Sequence, residues 1–299
     1  MLSASAGNTA VEKPKRQLPN AITVDVEDYF HVSAFARHID RDQWGQQKLR
    51  VEANTRKLLE MFEQVQVRGT FFALGWVAER VPGLIKEIAA RGHEIACHGF
   101  SHRLVYDQSP EEFYQETRRS KELLEDIIGA PVLGYRAASY SIVQRSLWAL
   151  DTLAELGFAY DSSIFPVHHD RYGIPGAERA PHRLTTPNGA SLVEWPLSTV
   201  KLLGCTLPVA GGGYFRLLPY WISRSALASI NSREGRPFIF YLHPWEIDPA
   251  QPRIRAGWLS TFRHYNNLDK CEERLRRLLG DFRFDTARHV LTEMKLLPQ

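Results

Sequence analysis

The chain has no run of 18 apolar residues, the length at which a hydrophobic segment crosses a bilayer as a helix, so no integral membrane segment is expected. It also lacks an excess of charge of one sign: 37 Lys and Arg stand against 34 Asp and Glu, a formal +3. That balance, without any basic RNA- or DNA-binding module, excludes nucleic acid as the expected partner. Cysteine is scarce. Cys97, Cys205 and Cys271 are odd in number, widely spaced and never arranged Cys-x-x-Cys, which excludes a zinc ribbon or dithiol redox motif and leaves reduced, buried thiols as the expectation. No Gly-x-Gly-x-x-Gly follows a strand-like segment, which argues against a dinucleotide fold. The triplet Gly211 to Gly213 lacks the Lys and Ser/Thr of a P-loop and reads as a flexible turn. Residues 1–20 hold no apolar core of the length a secretory signal requires; they read as a flexible tail, and the expected location is cytoplasmic.

What is present is alternation. With 299 residues, 44% hydrophobic and 24% charged, a single domain over residues 21–299 is expected. Ala21 to Val26 reads as a strand and Val51 to Gln64 as an amphipathic helix. Gly69 to Leu74, Glu94 to Cys97, Leu133 to Arg136 and Phe158 to Asp161 read as further strands, separated by helices over Pro82 to Ala90, Pro110 to Gly129 and Ser146 to Leu156. Repeated β-then-α units imply an α/β fold with a parallel sheet, closed as a barrel or doubly wound. From about residue 162 to 219, Pro and Gly cluster, and the segment reads as a long excursion with short strands. Order returns in a helix over Pro219 to Ser229, a buried strand over Phe238 to Leu242 and a helix over Asn266 to Leu279, whose Arg274, Arg276 and Arg277 read as a solvated face.

The polar residues stand at strand ends. Asp25-Val26-Glu27-Asp28 closes the first strand, and His98 and His102 follow the third. Arg136 and Asp161 close two more, and His243 follows Phe238 to Leu242. Singly, each has an ordinary explanation: a chance His spacing, a surface ion pair, a turn cap, a satisfied histidine before proline. Together they lie where parallel α/β folds bind ligands. Two imidazoles and a carboxylate hold a divalent metal while leaving positions open for water and substrate.

The ordered set Thr23 to Asp28, His98-Gly99-Phe100-Ser101-His102, Tyr135 to Ser139, Asp161 and Leu242-His243-Pro244 resembles the five motifs of the polysaccharide deacetylases with the NodB homology domain, a carbohydrate esterase family 4-like group. Asp25 to Phe30 and Leu242 to Asp248 resemble more narrowly the subgroup found in exopolysaccharide biosynthesis loci of the PEP-CTERM sorting system. The resemblance implies a distorted (β/α) barrel and a divalent metal, zinc in the first place. It implies hydrolysis of N-acetyl groups on amino sugars of an exopolysaccharide or its precursor, with carbohydrate as the partner. Carried over, Asp25 is the general base that activates a water on the metal, His98 and His102 are metal ligands, and Arg136 keeps Asp25 ionised. His243 is the general acid that protonates the leaving amine, and Asp161 orients it. Backbone donors for the oxyanion are expected between Ala137 and Tyr140.

Three departures from the family pattern stand out. Asp25 is followed by Val26, which leaves Glu27 and Asp28 both open as third ligand; strand alternation favours Glu27, whereas Asp28 reaches if the chain turns after Val26. Ala137-Ala138 replaces the common proline, and the fourth motif lacks a nearby Trp. Two further readings are an amidase acting on a small cyclic amide or ureide with the same barrel, and an inactive sugar-binding barrel.

Overall fold

The computed structural model describes residues 18–169, 171–202 and 204–299. Most of the expected N-terminal tail, residues 1–17, lies outside the described residues, and Asn20 already belongs to the first strand. In chain order the first part runs β1 (Asn20–Val26), α1 (Val51–Gln64), β2 (Thr70–Ala73), α2 (Gly75–Arg80), α3 (Pro82–Ala90), β3 (Glu94–Cys97), α4 (Pro110–Ile128), β4 (Gly134–Tyr135), α5 (Ala149–Glu155) and β5 (Tyr160–Asp161). The second part runs β6 (His182–Thr185), β7 (Ser191–Glu194), β8 (Thr199–Leu202), β9 (Cys205–Pro208), α6 (Gly212–Leu217), α7 (Tyr220–Ser232), β10 (Ile239–Leu242), α8 (Trp258–Tyr265), α9 (Leu268–Asp281), β11 (Phe284–Asp285) and α10 (Ala287–Glu293).

The main sheet has the order β10-β1-β2-β3-β4-β5-β7-β6, with β11 against the start of β1. All its pairings are parallel except β6 on β7. β1 lies between β10 and β2 and is buried throughout, as expected of a parallel strand covered on both faces. Its even positions, Ile22, Val24 and Val26, pack outward into the large core with Leu58, Phe62 and Phe71. Ala21 joins a second, inner cluster with Phe72, Ala96, Tyr160, Trp195 and Tyr241. Two separate cores on the two faces of one sheet are what a curled sheet requires.

Curling brings β7 toward β10, and an irregular segment bridges them. Leu197 N donates to Ile164 O (3.0 Å), Ile239 N to Ser198 Oγ (2.9 Å) and Tyr241 N to Ala210 O (2.7 Å). The result is a distorted barrel bridged by loop contacts rather than by a strand ladder. α10 sits at the N-terminal end of the strands: Ala287 N donates to Thr70 Oγ1 and Arg288 N to Glu94 Oε2, at the first residues of β2 and β3. The opposite end receives the loops that follow the strands.

Local chemistry explains the element ends. Ser109 and Glu112 form a capping box around Pro110 at the start of α4, and Gly129 ends it at φ 67°. The excursion after residue 162 is more ordered than its Pro and Gly content implies, since β6 and β7 extend the main sheet and β8 and β9 form a hairpin. The glycine triplet is not a flexible turn. Gly211 bridges Tyr241 at φ 132°, where an added Cβ would stand 1.9 Å from Tyr241 O, and Gly212 and Gly213 open α6. Arg274 is not part of a solvated face either, because it donates to the carbonyls of Phe215 and Arg216 at the end of α6. Of the cysteines, Cys97 and Cys271 are buried as expected, whereas Cys205 is exposed on the hairpin.

Two buried histidines make stability depend on pH. Gly69 N donates to Nδ1 of His93, which packs against Phe62 and Phe71, and burial pushes its pKa down to about 4. His264 lies against Trp245 and Phe35, and burial together with the Arg216 charge pushes it down to about 3. In the unfolded chain both titrate near 6.5, so there the proton is taken up first. Their contribution is whole above about pH 6.5 and is lost as pH falls toward the folded values, by at most about 1.4 kcal/mol per pH unit for each group. Urea unfolding is therefore expected to show a lower midpoint at about pH 5 than at about pH 7. Equal midpoints in wild type would contradict the assignment, and His93→Gln is expected to flatten the dependence.

Candidate active site

The C-terminal ends of β1, β3, β4 and β10 converge on one cavity of about 160 Å³, lined by Asp25, Glu27, His98, His102, Tyr140 and His243 among others. Period-two alternation places Asp25 inward, and after β1 the chain tightens, with Glu27 N donating to Asp25 O (2.9 Å). Glu27 thereby enters the same cavity as Asp25.

The histidine loop is held from behind. Trp76 N donates to Phe100 O, and Gly75 N and Ser120 Oγ donate to Gly99 O. Gly75 has to be small, since a Cβ there would stand 2.5 Å from Phe100 Cδ2 and 2.8 Å from Ser120 Oγ. Arg41 donates to the carbonyls of Ser101 and His102. These contacts support His102 at φ 51°, an uncommon backbone state for a residue with a side chain.

Arg136 is fully buried. Its guanidinium donates to Asp25 Oδ1 (2.7 Å), Thr23 Oγ1 (2.8 Å), Ser162 O (3.2 Å) and Ser162 Oγ (3.1 Å), and lies 4.0 Å from the Phe72 ring centroid. Its own carbonyl accepts from His98 Nδ1 at 2.8 Å. The proton on Nδ1 leaves the Nε2 lone pair of His98 free to bind a metal, the usual arrangement behind a ligating histidine.

Glu27, His98 and His102 offer ligand atoms that all lie within 4.8 Å of one another. Glu27 Oε2 is 2.9 Å from His102 Nε2, yet this buried oxygen has no aligned hydrogen-bond partner among the described residues. Two donors each about 2.0–2.1 Å from one ion stand roughly 3 Å apart, so this spacing and the orphaned oxygen both fit a shared metal. Burial pushes the Glu27 carboxyl upward, but His102, His243 and His98 hold it far below the ordinary carboxylate range. Burial pushes His98 down, toward the neutral form that ligation needs.

His243 faces this group from β10. Its Nε2 lies 3.3 Å from Glu27 Oε1 and 3.9 Å from Asp25 Oδ2, and its Nδ1 contacts Glu246 Oε1 at 2.8 Å. Burial opposes the imidazolium, but the hydrogen bond to Glu246 and the charges of Glu27, Glu246 and Asp25 raise its pKa to about 9. Burial likewise works against the Glu246 carboxylate, whereas Arg216, 2.6 Å away, and His243 pull it down to about 2. Trp245 stacks on the His243 ring with centroids 5.0 Å apart.

Two of the sequence-predicted residues stand elsewhere. Asp28 turns away from the histidines and caps α1: its Oδ2 accepts from Arg50 N (2.7 Å) and Val51 N (2.8 Å), and its Oδ1 from Tyr29 N. Asp161 does not reach His243. It accepts from Ser163 Oγ (2.6 Å), which itself accepts from Ala137 N (2.8 Å), so it braces the loop after Arg136. Its register partner is Glu194; burial raises both carboxyls, and Asp161 pushes Glu194 further. The carboxylate in contact with His243 Nδ1 is that of Glu246. Its signal is in the sequence, because a glutamate three residues after His243, with Pro244 first in the turn, is the spacing of a capping box. In the Ala137 to Tyr140 loop, Ala137 N and Tyr140 N are engaged with Ser163 Oγ and Ala137 O, which narrows the expected oxyanion donors to Ala138 and Ser139.

Comparison with known proteins agrees with this geometry. The polysaccharide deacetylase family model matches residues 42–160, and a domain of unknown function, DUF3473, matches residues 162–292. A peptidoglycan-N-acetylglucosamine deacetylase from Bacillus cereus is 28% identical over 147 residues, covering 45% of this chain and 52% of the relative. A peptidoglycan deacetylase from Helicobacter pylori is 29% identical over 121 residues, covering 40% of this chain and 39% of the relative. The chain thus spans about half or less of the length of these curated relatives. Among solved structures, a Mycobacterium smegmatis protein provisionally named a polysaccharide deacetylase has a TM-score of 0.58 at 23% identity, with 96% of this chain and 95% of that chain covered. PuuE allantoinase has the same TM-score of 0.58 at 13% identity, with 93% and 90% covered, so these two likenesses show the fold alone. The family match takes in the strands that carry His98, His102 and Arg136, and over residues 42–160 the chain is similar to the polysaccharide deacetylases.

Proposed function

We propose that the protein is a metal-dependent polysaccharide N-deacetylase that hydrolyses acetamido groups on amino sugars of an exopolysaccharide or its precursor. One observation carries the reading: Asp25, His243 and the cluster of Glu27, His98 and His102 face one another in a single cavity, and Asp25 and His243 each have a buried charged partner behind them. An N-acetylated glycan as substrate is supported by the curated relatives named above, which are peptidoglycan deacetylases by name, and the exopolysaccharide class by the resemblance of the motifs around Asp25 and His243.

Glu27, His98 and His102 would hold the ion, and two imidazoles with one carboxylate suit zinc. A divalent ion held there lowers the pKa of water and polarises an acyl oxygen. The chain's own residues do the rest. Arg136 fixes Asp25 Oδ1, so Oδ2 is presented to the cavity as the proton acceptor for the attacking water. His243, with Nδ1 held by Glu246, presents its Nε2 proton on the other side, 3.9 Å from Asp25, where a departing amine collects it. Base and acid need opposite protonation states, and the site supplies a carboxylate with a guanidinium behind it and an imidazolium with a carboxylate behind it. An amidase on a small cyclic substrate shares this fold, but the cavity adjoins two larger ones, which favours an extended substrate.

Asp25→Asn is expected to lower acetate release from N-acetylglucosamine oligomers by about 100-fold or more with bound metal retained. His98→Ala is expected to lose the metal itself, read by elemental analysis. Full activity in Asp25→Asn, or in thoroughly chelated wild type, would rule out the mechanism. Glu246→Gln is expected to lower kcat by at least about 10-fold with KM little changed, since it loosens the acid without touching substrate. An unchanged kcat in that variant would remove Glu246 from its positioning role.

A further inference from the structure

We infer that the segment matched to a domain of unknown function builds a second sugar subsite, which holds the glycan residue next to the one being deacetylated; this rests on the polysaccharide reading above. At about 160 Å³ the catalytic cavity is well below the roughly 300–1,000 Å³ of sites that enclose a ligand. It has room for the reacting group and not for the rest of a chain. Beside it lies a cavity of about 360 Å³ that shares Tyr172 and Tyr241 with it, so the two are continuous.

The walls of the second cavity suit a pyranose. Tyr214, Tyr241 and Phe262 line it with aromatic rings, surfaces against which the C–H faces of a sugar pack, beside Tyr172, whose ring is itself stacked on His169 and Phe165, and Asn266 and Arg263 add polar groups for its hydroxyls. All of these residues come from the 162–292 segment. Phe262 is 49% exposed and Leu217 50% exposed, an apolar rim whose burial a ligand would supply. No carboxylate is among the described lining residues and one guanidinium is, so the subsite favours a neutral or acidic sugar over one already bearing a free ammonium.

The cavity is also held in shape before anything binds. Buried Arg216, at the C-terminal end of α6, donates to the carbonyls of Arg263, His264 and Asn266 at the end of α8. The same side chain pairs with Glu246, which holds His243. One guanidinium therefore ties the subsite wall to the acid, and preorganisation of this kind lowers the entropic cost of binding a chain in register.

The test uses the full-length protein loaded with zinc, with Phe262→Ala and Tyr214→Ala, both at partly exposed positions. The kcat/KM for release of acetate is measured on N-acetylglucosamine monomer and tetramer, and tetramer binding is measured by calorimetry. Wild type is expected to prefer the tetramer, and each variant to lose about tenfold of that preference and of tetramer affinity, equivalent to about 1.4 kcal/mol. Acetate release with an identical tetramer-to-monomer ratio in wild type and both variants overturns the subsite and leaves the deacetylase reading standing. Tetramer binding that Phe262→Ala weakens, without acetate release from either sugar, supports the subsite and overturns the deacetylase reading. Neither binding nor release by wild type overturns both.

Discussion

The site depends on one buried charge. Arg136 has no solvent exposure, and taking a guanidinium out of water carries a penalty of several kcal/mol that a single ion pair does not reliably repay. Here the environment is complete: Asp25 neutralises the charge, Thr23 and Ser162 accept further protons, and Phe72 offers its ring face. The same residue's carbonyl sets the tautomer of His98, while its backbone N–H, bonded to Cys97 O, fixes where β4 meets β3. Base orientation, ligand tautomer and strand register are therefore not independent features. They follow from one residue being satisfied on every side.

The second buried guanidinium, Arg216, plays the matching part for His243, the proposed acid. It pairs with Glu246 at 2.6 Å, and Glu246 holds His243. The two systems lie on neighbouring strands, β1 and β10, so Asp25 and His243, the proposed base and acid, approach each other from separate rigid supports. They also come from different parts of the chain. Asp25 and Glu27 precede the matched deacetylase segment, His98, His102 and Arg136 lie within it, and His243 lies in the segment of unknown function. The sheet is continuous across these boundaries, and the candidate site is assembled from all three stretches.

Much of the frame was legible because the strands end in the residues that matter. β1, α1 and β3 carry a clear apolar pattern, α3 adds Pro first, and α4 combines a capping box, Pro first and Gly last. α2, α8 and α10 are shorter, and a turn or two of helix leaves too few apolar positions for a period to show. β6 to β9 hide among Pro and Gly because their pairing is set by tertiary position; a strand such as His182–Thr185 alternates half-buried and exposed over four residues only. Within the site, the residue types and strand ends were readable, but the partners were not. Nothing local in the sequence says that Asp161 spends its hydrogen bonds on Ser163, or that an arginine at position 216 reaches Glu246.

The choice between Glu27 and Asp28 shows how narrow the margin is. The two carboxylates are adjacent, and strand geometry sends adjacent side chains to opposite faces. The chain does turn after Val26, as the bond from Glu27 N to Asp25 O shows, but the turn carries Asp28 onto the N-terminus of α1, where Arg50 N and Val51 N donate to it while Tyr29 N donates to its other oxygen. α1 has no capping side chain from its own N-cap residue, Arg50, so its first turn depends on this carboxylate. Asp28 is thus committed to the fold, which leaves Glu27, longer by one methylene and facing the cavity, as the carboxylate available to the histidines. The acidic cluster divides its work between holding the first helix and completing the candidate metal site, and that division follows from which oxygens meet unsatisfied donors first.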